Sequence, residues 1–136
     1  VSGVPAAVIA LVDNRDKLVD RSTGRTVGPG RNLHHRKLRS RGGAHHASNL
    51  ITLSGSGTTG THGYMHANVS IATRYGFIVP SWASPQEVPI RLTDALGRRQ
   101  WVYLFDDGCS EWVTPDDAQL RMTWLGLWPV GHNYNH

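Results

Sequence analysis

Two short strand candidates parted by a glycine-bearing loop, then a second such loop and a longer run opening at Thr61, constrain this chain more than any other feature. The first run, Arg31 to Arg36, and the second, Asn49 to Leu53, have strand length, and the loop from Arg39 to Ser48 between them contains Gly42-Gly43. Ser54 to Gly60 forms the second loop. Thr61 is placed to cap a helix running to about Tyr75, where Gly76 can end it. The order is therefore strand, loop, strand, loop, helix, a ββα unit whose sheet and helix must cover one another.

The flanks read as smaller elements. Pro5 to Asn14, rich in Ala, Val, Ile and Leu, predicts a short buried helix with a proline at its start, and Ser22 to Gly30 a loop. Pro80 to Pro89 reads as a linker. Val88 to Leu92, Gln100 to Phe105 and Glu111 to Val113 predict an antiparallel meander with Asp107-Gly108 at a turn. All five Trp fall between Trp82 and Trp128, where they are expected to supply the core of this last element. At 136 residues the whole is expected to be one α+β domain: residues 1–30 an N-terminal helix and loop, 31–80 the ββα core, 81–136 a Trp-rich β element and tail.

Several classes are disfavoured. The longest apolar stretch, Val4 to Val12, is too short to cross a bilayer and no basic segment precedes it. Cys109 is the single cysteine, which excludes an internal disulfide framework or a site built from several thiolates and points to a reducing cytoplasm.

Charge is unevenly laid out. Residues 1–80 hold ten Lys or Arg against three Asp, a balance of +7, whereas 81–136 hold four against seven acids, a balance of −3. No Asp or Glu occurs from Arg21 through Gln86, although eight Lys or Arg do, five of them between Arg31 and Arg41. Such a basic window suits a polyanion such as DNA, or a basic surface kept for solubility.

The same window limits what could bind a cation. With no local carboxylate, side-chain ligands there must be imidazoles, which favours a first-row transition ion over Ca²⁺ and makes a two-carboxylate hydrolase site untenable. Four of the eight His stand in informative pairs. His62 and His66, at i and i+4 on the expected helix, lie one above the other and can converge on one ion. His34 and His35, adjacent on the expected strand, point to opposite faces, so only one of them can readily join that site.

These residues carry a family resemblance. "LHHRKLRSRGGAHHASNLITL" followed by "GTHGYMHANVSIATRYG" resembles the motif of the HNH endonucleases, the ββα-metal nucleases, and in particular its small bacteriophage version. The match runs from about Arg31 to Val79, and "RRQWVYLFDDG" further on resembles the C-terminal hairpin of phage members. The resemblance implies a metal-dependent DNA endonuclease in which His34, His62 and His66 hold one divalent ion, His35 is the general base, and Asn49 ties down the loop that orients it. Arg36, Lys37, Arg39 and Arg41 flank that base closely enough to grip phosphates, and Arg74, near the end of the metal helix, is placed either to do likewise or to favour the helix dipole. His45 and His46 are expected to be loop bystanders.

Two departures bear on these expectations. Many relatives carry a structural zinc on paired cysteines, yet Ser54 and Thr61 stand where the later pair would be, so packing of the N-terminal helix and the Trp-rich part is expected to replace that staple. An all-histidine set also shifts preference toward Zn²⁺, Ni²⁺ or Mn²⁺ over Mg²⁺. Genome packaging with the large terminase subunit, in a bacterial host cytoplasm, follows from the resemblance alone. The competing expectation is a non-catalytic, zinc-stabilised DNA-binding or packaging-accessory protein.

Overall fold

A computed structural model describes residues 3–128, in which four α-helices and two antiparallel sheets form a mixed α+β structure. The final residues, 129–136, assigned above to the tail, lie outside the described residues.

Pro5 occupies the position just before helix α1 (Ala6–Asp16), which continues two residues beyond the expected end. It stops because Lys17 and Leu18 both adopt left-handed backbone, each with φ 58°, and the Lys17 amide donates to the Asp13 carbonyl at 2.8 Å. The expectation of a buried helix is corrected: Val12 and Asp16 alone are fully buried. One side packs on Val4, Leu33, Ala47 and Leu50, while Ala6, Ala7 and Ala10 face outward. Alanine favours helix without needing burial, so a run of them does not by itself mark a core.

Strands β1 (Asn32–His35) and β2 (Leu50–Leu53) pair antiparallel, with His34 opposite Ile51 and His35 opposite Leu50. All four β2 residues are buried. The connecting loop crosses tightly over its own start. A Cβ on Gly43 would stand 1.8 Å from the Lys37 carbonyl oxygen, which explains why that position is glycine.

Where one helix was expected from Thr61 to about Tyr75, there are two, α2 (Gly60–Ala67) and α3 (Val69–Arg74). Asn68 separates them at φ −128°, ψ 57°, donating its side-chain amide to the Tyr64 carbonyl at 3.0 Å. Asparagine competes for backbone groups in this way, and the β-branched Val69 follows it. Thr59 takes the cap position instead of Thr61, without a side-chain cap bond. Both His62 and His66 remain on α2, and Gly63 between them lets the preceding loop close on the helix: a Cβ there would meet Thr58 at 2.5 Å.

The meander follows as β3 (Ile90–Thr93), β4 (Arg99–Leu104) and β5 (Ser110–Val113), ordered β3-β4-β5. A helix not foreseen, α4 (Pro115–Trp124), closes the described chain; the Thr114 hydroxyl accepts from the Asp117 amide at 3.1 Å to cap it. Its inward residues, Ala118 and Met122, join Trp101, Val88, Val79 and Trp128 in one cluster. A second cluster, with Ile51, Leu53, Met65, Phe77, Ile90 and Leu104, joins the β1–β2 region to the meander.

The tryptophans need correction as well. Trp101 and Trp128 are buried, but Trp82, Trp112 and Trp124 are 63%, 60% and 76% exposed, so most of the set is not core. Among the described residues no helix is long and apolar enough to cross a membrane.

Candidate metal centre

The alternation of β1 sends its two histidines to different surroundings. His34 is fully buried and its ring centroid lies 4.9 Å from that of His62 and 5.5 Å from that of His66, while His62 and His66 stand 4.8 Å apart on α2. One ring nitrogen of each of the three lies within 4.8 Å of the others, close enough to hold a metal ion.

Hydrogen bonds decide which nitrogens face inward. Nε2 of His34 donates to the Phe77 carbonyl at 2.6 Å, which leaves Nδ1 as an acceptor; that atom is buried without a hydrogen-bond partner. His62 donates through Nδ1 to the side-chain oxygen of Asn32, so its Nε2 is the free acceptor, 3.0 Å from Nε2 of His66. Metal-binding histidines elsewhere show this same support, a protein oxygen holding the far ring N–H so that the near nitrogen presents its lone pair. The unpartnered buried acceptor of His34, beside two nitrogens at contact distance, fits a cation between the three; without one, Nε2 of His66 can donate to Nε2 of His62.

Electrostatics keep His34 and His62 neutral. Burial, reinforced by His62, His66 and Arg36 against the raising effect of the Phe77 bond, pushes His34 down to about 3. Burial, followed by the nearby His66 and His35, lowers His62 to about 4. Both are deprotonated at neutral pH, as a ligand must be.

His35 belongs to a different group. It is half-buried, its ring 5.1 Å from that of His45, and its Nε2 lies 3.0 Å from Nδ1 of His45. Burial, then His45 and Arg39, lowers its pKa. Asn49 is buried: its side-chain oxygen accepts from the Lys37 amide at 2.7 Å, and its amide group donates to the carbonyls of Lys37 and Ala44, both at 3.0 Å. One side chain thus pins both ends of the loop that carries His45.

The basic residues separate into unlike roles. Arg36 is corrected outright: it is fully buried, donating to the carbonyls of Gly76, Ser48, Pro85 and Val88 at 2.7–3.0 Å, and cannot reach a phosphate. Burial and then Arg15 lower it to about 9, so it stays cationic at neutral pH. Lys37 is half-buried and donates to the Ala83 carbonyl at 3.0 Å. Arg74, at the end of α3, is half-buried, with its guanidinium 5.6 Å from the Trp128 ring. Arg39 and Arg41 are exposed on a single 3₁₀ turn.

The contacts of five positions escaped the sequence reading. Asn32 supports His62, and a signal existed, because it lies two residues before His34 and so on the same strand face. His45 meets His35, and the exposed His46 lies 3.4 Å from Asp106. Asp16 accepts from the Thr52 amide and hydroxyl at 3.0 and 2.9 Å and pairs with Arg15 and Arg21. Asp20 accepts from Ser22, from the Ser54 amide at 3.0 Å and from the Thr61 hydroxyl at 2.5 Å; burial alone would raise its pKa, but these bonds outweigh it and hold the carboxyl below its usual range.

No protein-family model, curated protein or solved structure matches this chain.

Proposed function

We propose that this chain is a metal-dependent DNA endonuclease built on a ββα-metal core of the HNH kind. The observation that carries the reading is the convergence of three histidine acceptors on one side of β1, with a fourth histidine beside them, half-exposed and held by a separate hydrogen bond. Three protein ligands leave coordination positions open, which suits catalysis better than a structural site. A purely structural centre gives His35 no task.

His34, His62 and His66 would hold one divalent ion, and their imidazole character favours Zn²⁺, Ni²⁺ or Mn²⁺ over Mg²⁺. Such an ion supplies Lewis-acid stabilisation of charge on the phosphoryl and leaving sugar oxygens. His35, neutral because its pKa is lowered, takes a proton from water, and the hydroxide attacks phosphorus in line. The P–O3′ bond breaks, leaving a 3′-hydroxyl and a 5′-phosphate. Asn49 fixes the loop around the base, and Arg39 and Arg41 contact phosphates without reading sequence.

Plasmid cleavage with exchanged metals tests the proposal. Nicking or linearisation should vanish in chelator and return with added Zn²⁺, Ni²⁺ or Mn²⁺. Cleavage unchanged after verified metal removal, or absent with every ion, refutes it.

A further inference from the structure

We propose that His45 decides which ring nitrogen of His35 carries the proton, and that Arg39 holds His45 in the setting that keeps His35 from acting as a base until a phosphate draws Arg39 away. The inference rests on the nuclease reading of His35 and adds to it a positioning residue and a substrate-controlled step.

The argument is one of donors and acceptors. A guanidinium can only donate. Nη1 of Arg39 lies 2.6 Å from Nε2 of His45, so that nitrogen accepts and the His45 proton sits on Nδ1. Nδ1 of His45 therefore donates to Nε2 of His35, 3.0 Å away, and neutral His35 keeps its own proton on Nδ1. Among the described residues Nδ1 of His35 has no hydrogen-bond partner, which makes it the ring nitrogen left for a substrate water. In this arrangement it is a donor and cannot take a proton.

For Nδ1 of His35 to accept, its proton must move to Nε2 and be received by Nδ1 of His45, whose own proton then sits on Nε2. Arg39 opposes that state, because two donors would face each other across 2.6 Å. A DNA phosphate removes the opposition. It binds a guanidinium through paired, charge-assisted hydrogen bonds stronger than one bond to a neutral imidazole, and Arg39 is exposed enough to be taken. Neither ring changes charge in the switch. One proton on each ring changes nitrogen through exchange with solvent, and none is gained or lost.

Two experiments test the coupling, one independent of catalysis. Long-range ¹H–¹⁵N correlation spectra of Zn²⁺-loaded, histidine-labelled protein read the tautomers directly. The free protein should show both His35 and His45 protonated on Nδ1; inorganic phosphate, or Arg39→Ala, should move both to Nε2. A free protein already holding His35 protonated on Nε2, or an Arg39→Ala spectrum with unmoved tautomers, overturns the proposal whether or not the chain cleaves DNA.

The second uses bis(p-nitrophenyl) phosphate, a diester with no flanking phosphate to engage Arg39. Arg39→Ala should raise turnover of this small substrate on the order of tenfold while raising KM for DNA, an opposition of signs that a weaker phosphate grip alone cannot produce. Equal or lower turnover of the small substrate overturns the gate. His45→Leu should lower kcat on DNA about tenfold or more with KM little changed, and His45→Gln, whose amide can accept from His35, should recover most of it. If the wild-type chain cleaves neither substrate with any ion, the nuclease reading fails, and the spectra still decide whether Arg39 sets the tautomers.

Discussion

Arg36 and Val88, 52 residues apart, are joined by a 2.7 Å hydrogen bond from the guanidinium to the carbonyl oxygen. Three further carbonyls, from Ser48, Gly76 and Pro85, meet the same side chain, so a residue beside the candidate base acts as a rivet between segments rather than as a hand for DNA. Arg36→Met should leave four acceptors stranded and cost at least ~3 kcal/mol, since each buried unsatisfied group costs about 1–3 kcal/mol. Urea unfolding measures this; a loss under ~1 kcal/mol would show that water or rearrangement satisfies the carbonyls.

Arg39 and Arg41 should behave in the opposite way. Both are exposed, so replacing the pair with Ala is expected to change stability by less than about 0.5 kcal/mol. DNA binding should weaken, and the slope of log K against log salt should fall by ~2, about 0.9 for each phosphate no longer neutralised. An unchanged slope in a fluorescence titration would place the phosphate grip elsewhere.

His34→Ala and His35→Ala should differ in kind. The first removes the ligand that Phe77 orients, so metal affinity should drop by at least about tenfold, with excess ion restoring part of the cleavage rate. The second leaves the ligands intact, and calorimetry should record near-normal metal binding while cleavage falls on the order of 10²- to 10⁴-fold without rescue by ion. Loss of metal by His35→Ala with retention by His34→Ala reverses the assignment.

Acid should destabilise the metal-free protein over a defined window. His34 is held at about 3 and His62 at about 4 in the folded state, whereas an unfolded histidine titrates near its ordinary 6.5. Below that value the unfolded chain takes up protons that the folded one refuses. The stability of the neutral pair is therefore complete above pH 6.5 and declines as pH falls toward 4, by up to about 1.4 kcal/mol per pH unit for the fully buried His34 alone. Unfolding free energies that stay flat from about pH 7 to 5 would contradict the burial of these rings as neutral species.

The sequence exposed most of the element order because glycine-bearing loops, set by local chemistry, mark where each short element starts and stops. The β1, β2 and helix succession and the meander with its turn at Asp107-Gly108 were readable in this way, and the two helical histidines were recognisable from spacing. Helix α4 was overlooked although Thr114-Pro115 is a start signal, because its inward side has only Ala118 and Met122 and its hydrophobic pattern is weak. Arg36 was misread for a deeper reason. A cation normally stays in water, and only four carbonyls brought from distant parts of the chain make its burial tolerable. The contact between His35 and His45 was likewise invisible, since it depends on how Gly43 and Asn49 shape the loop rather than on any spacing.

Asp20 sits at the junction where the HNH resemblance would place a thiolate pair, tied instead to Ser54 and Thr61 by hydrogen bonds. A small domain stapled by structural zinc loses its fold without the ion, and a protease clears it. Here the junction closes on hydrogen bonds among Asp20, Ser54 and Thr61, so scarcity of metal need not bring loss of structure. Under the proposed function, a metal-starved cell would keep an intact, idle stock of the protein, and the supply of free ion would govern how much of it is armed rather than how much of it survives.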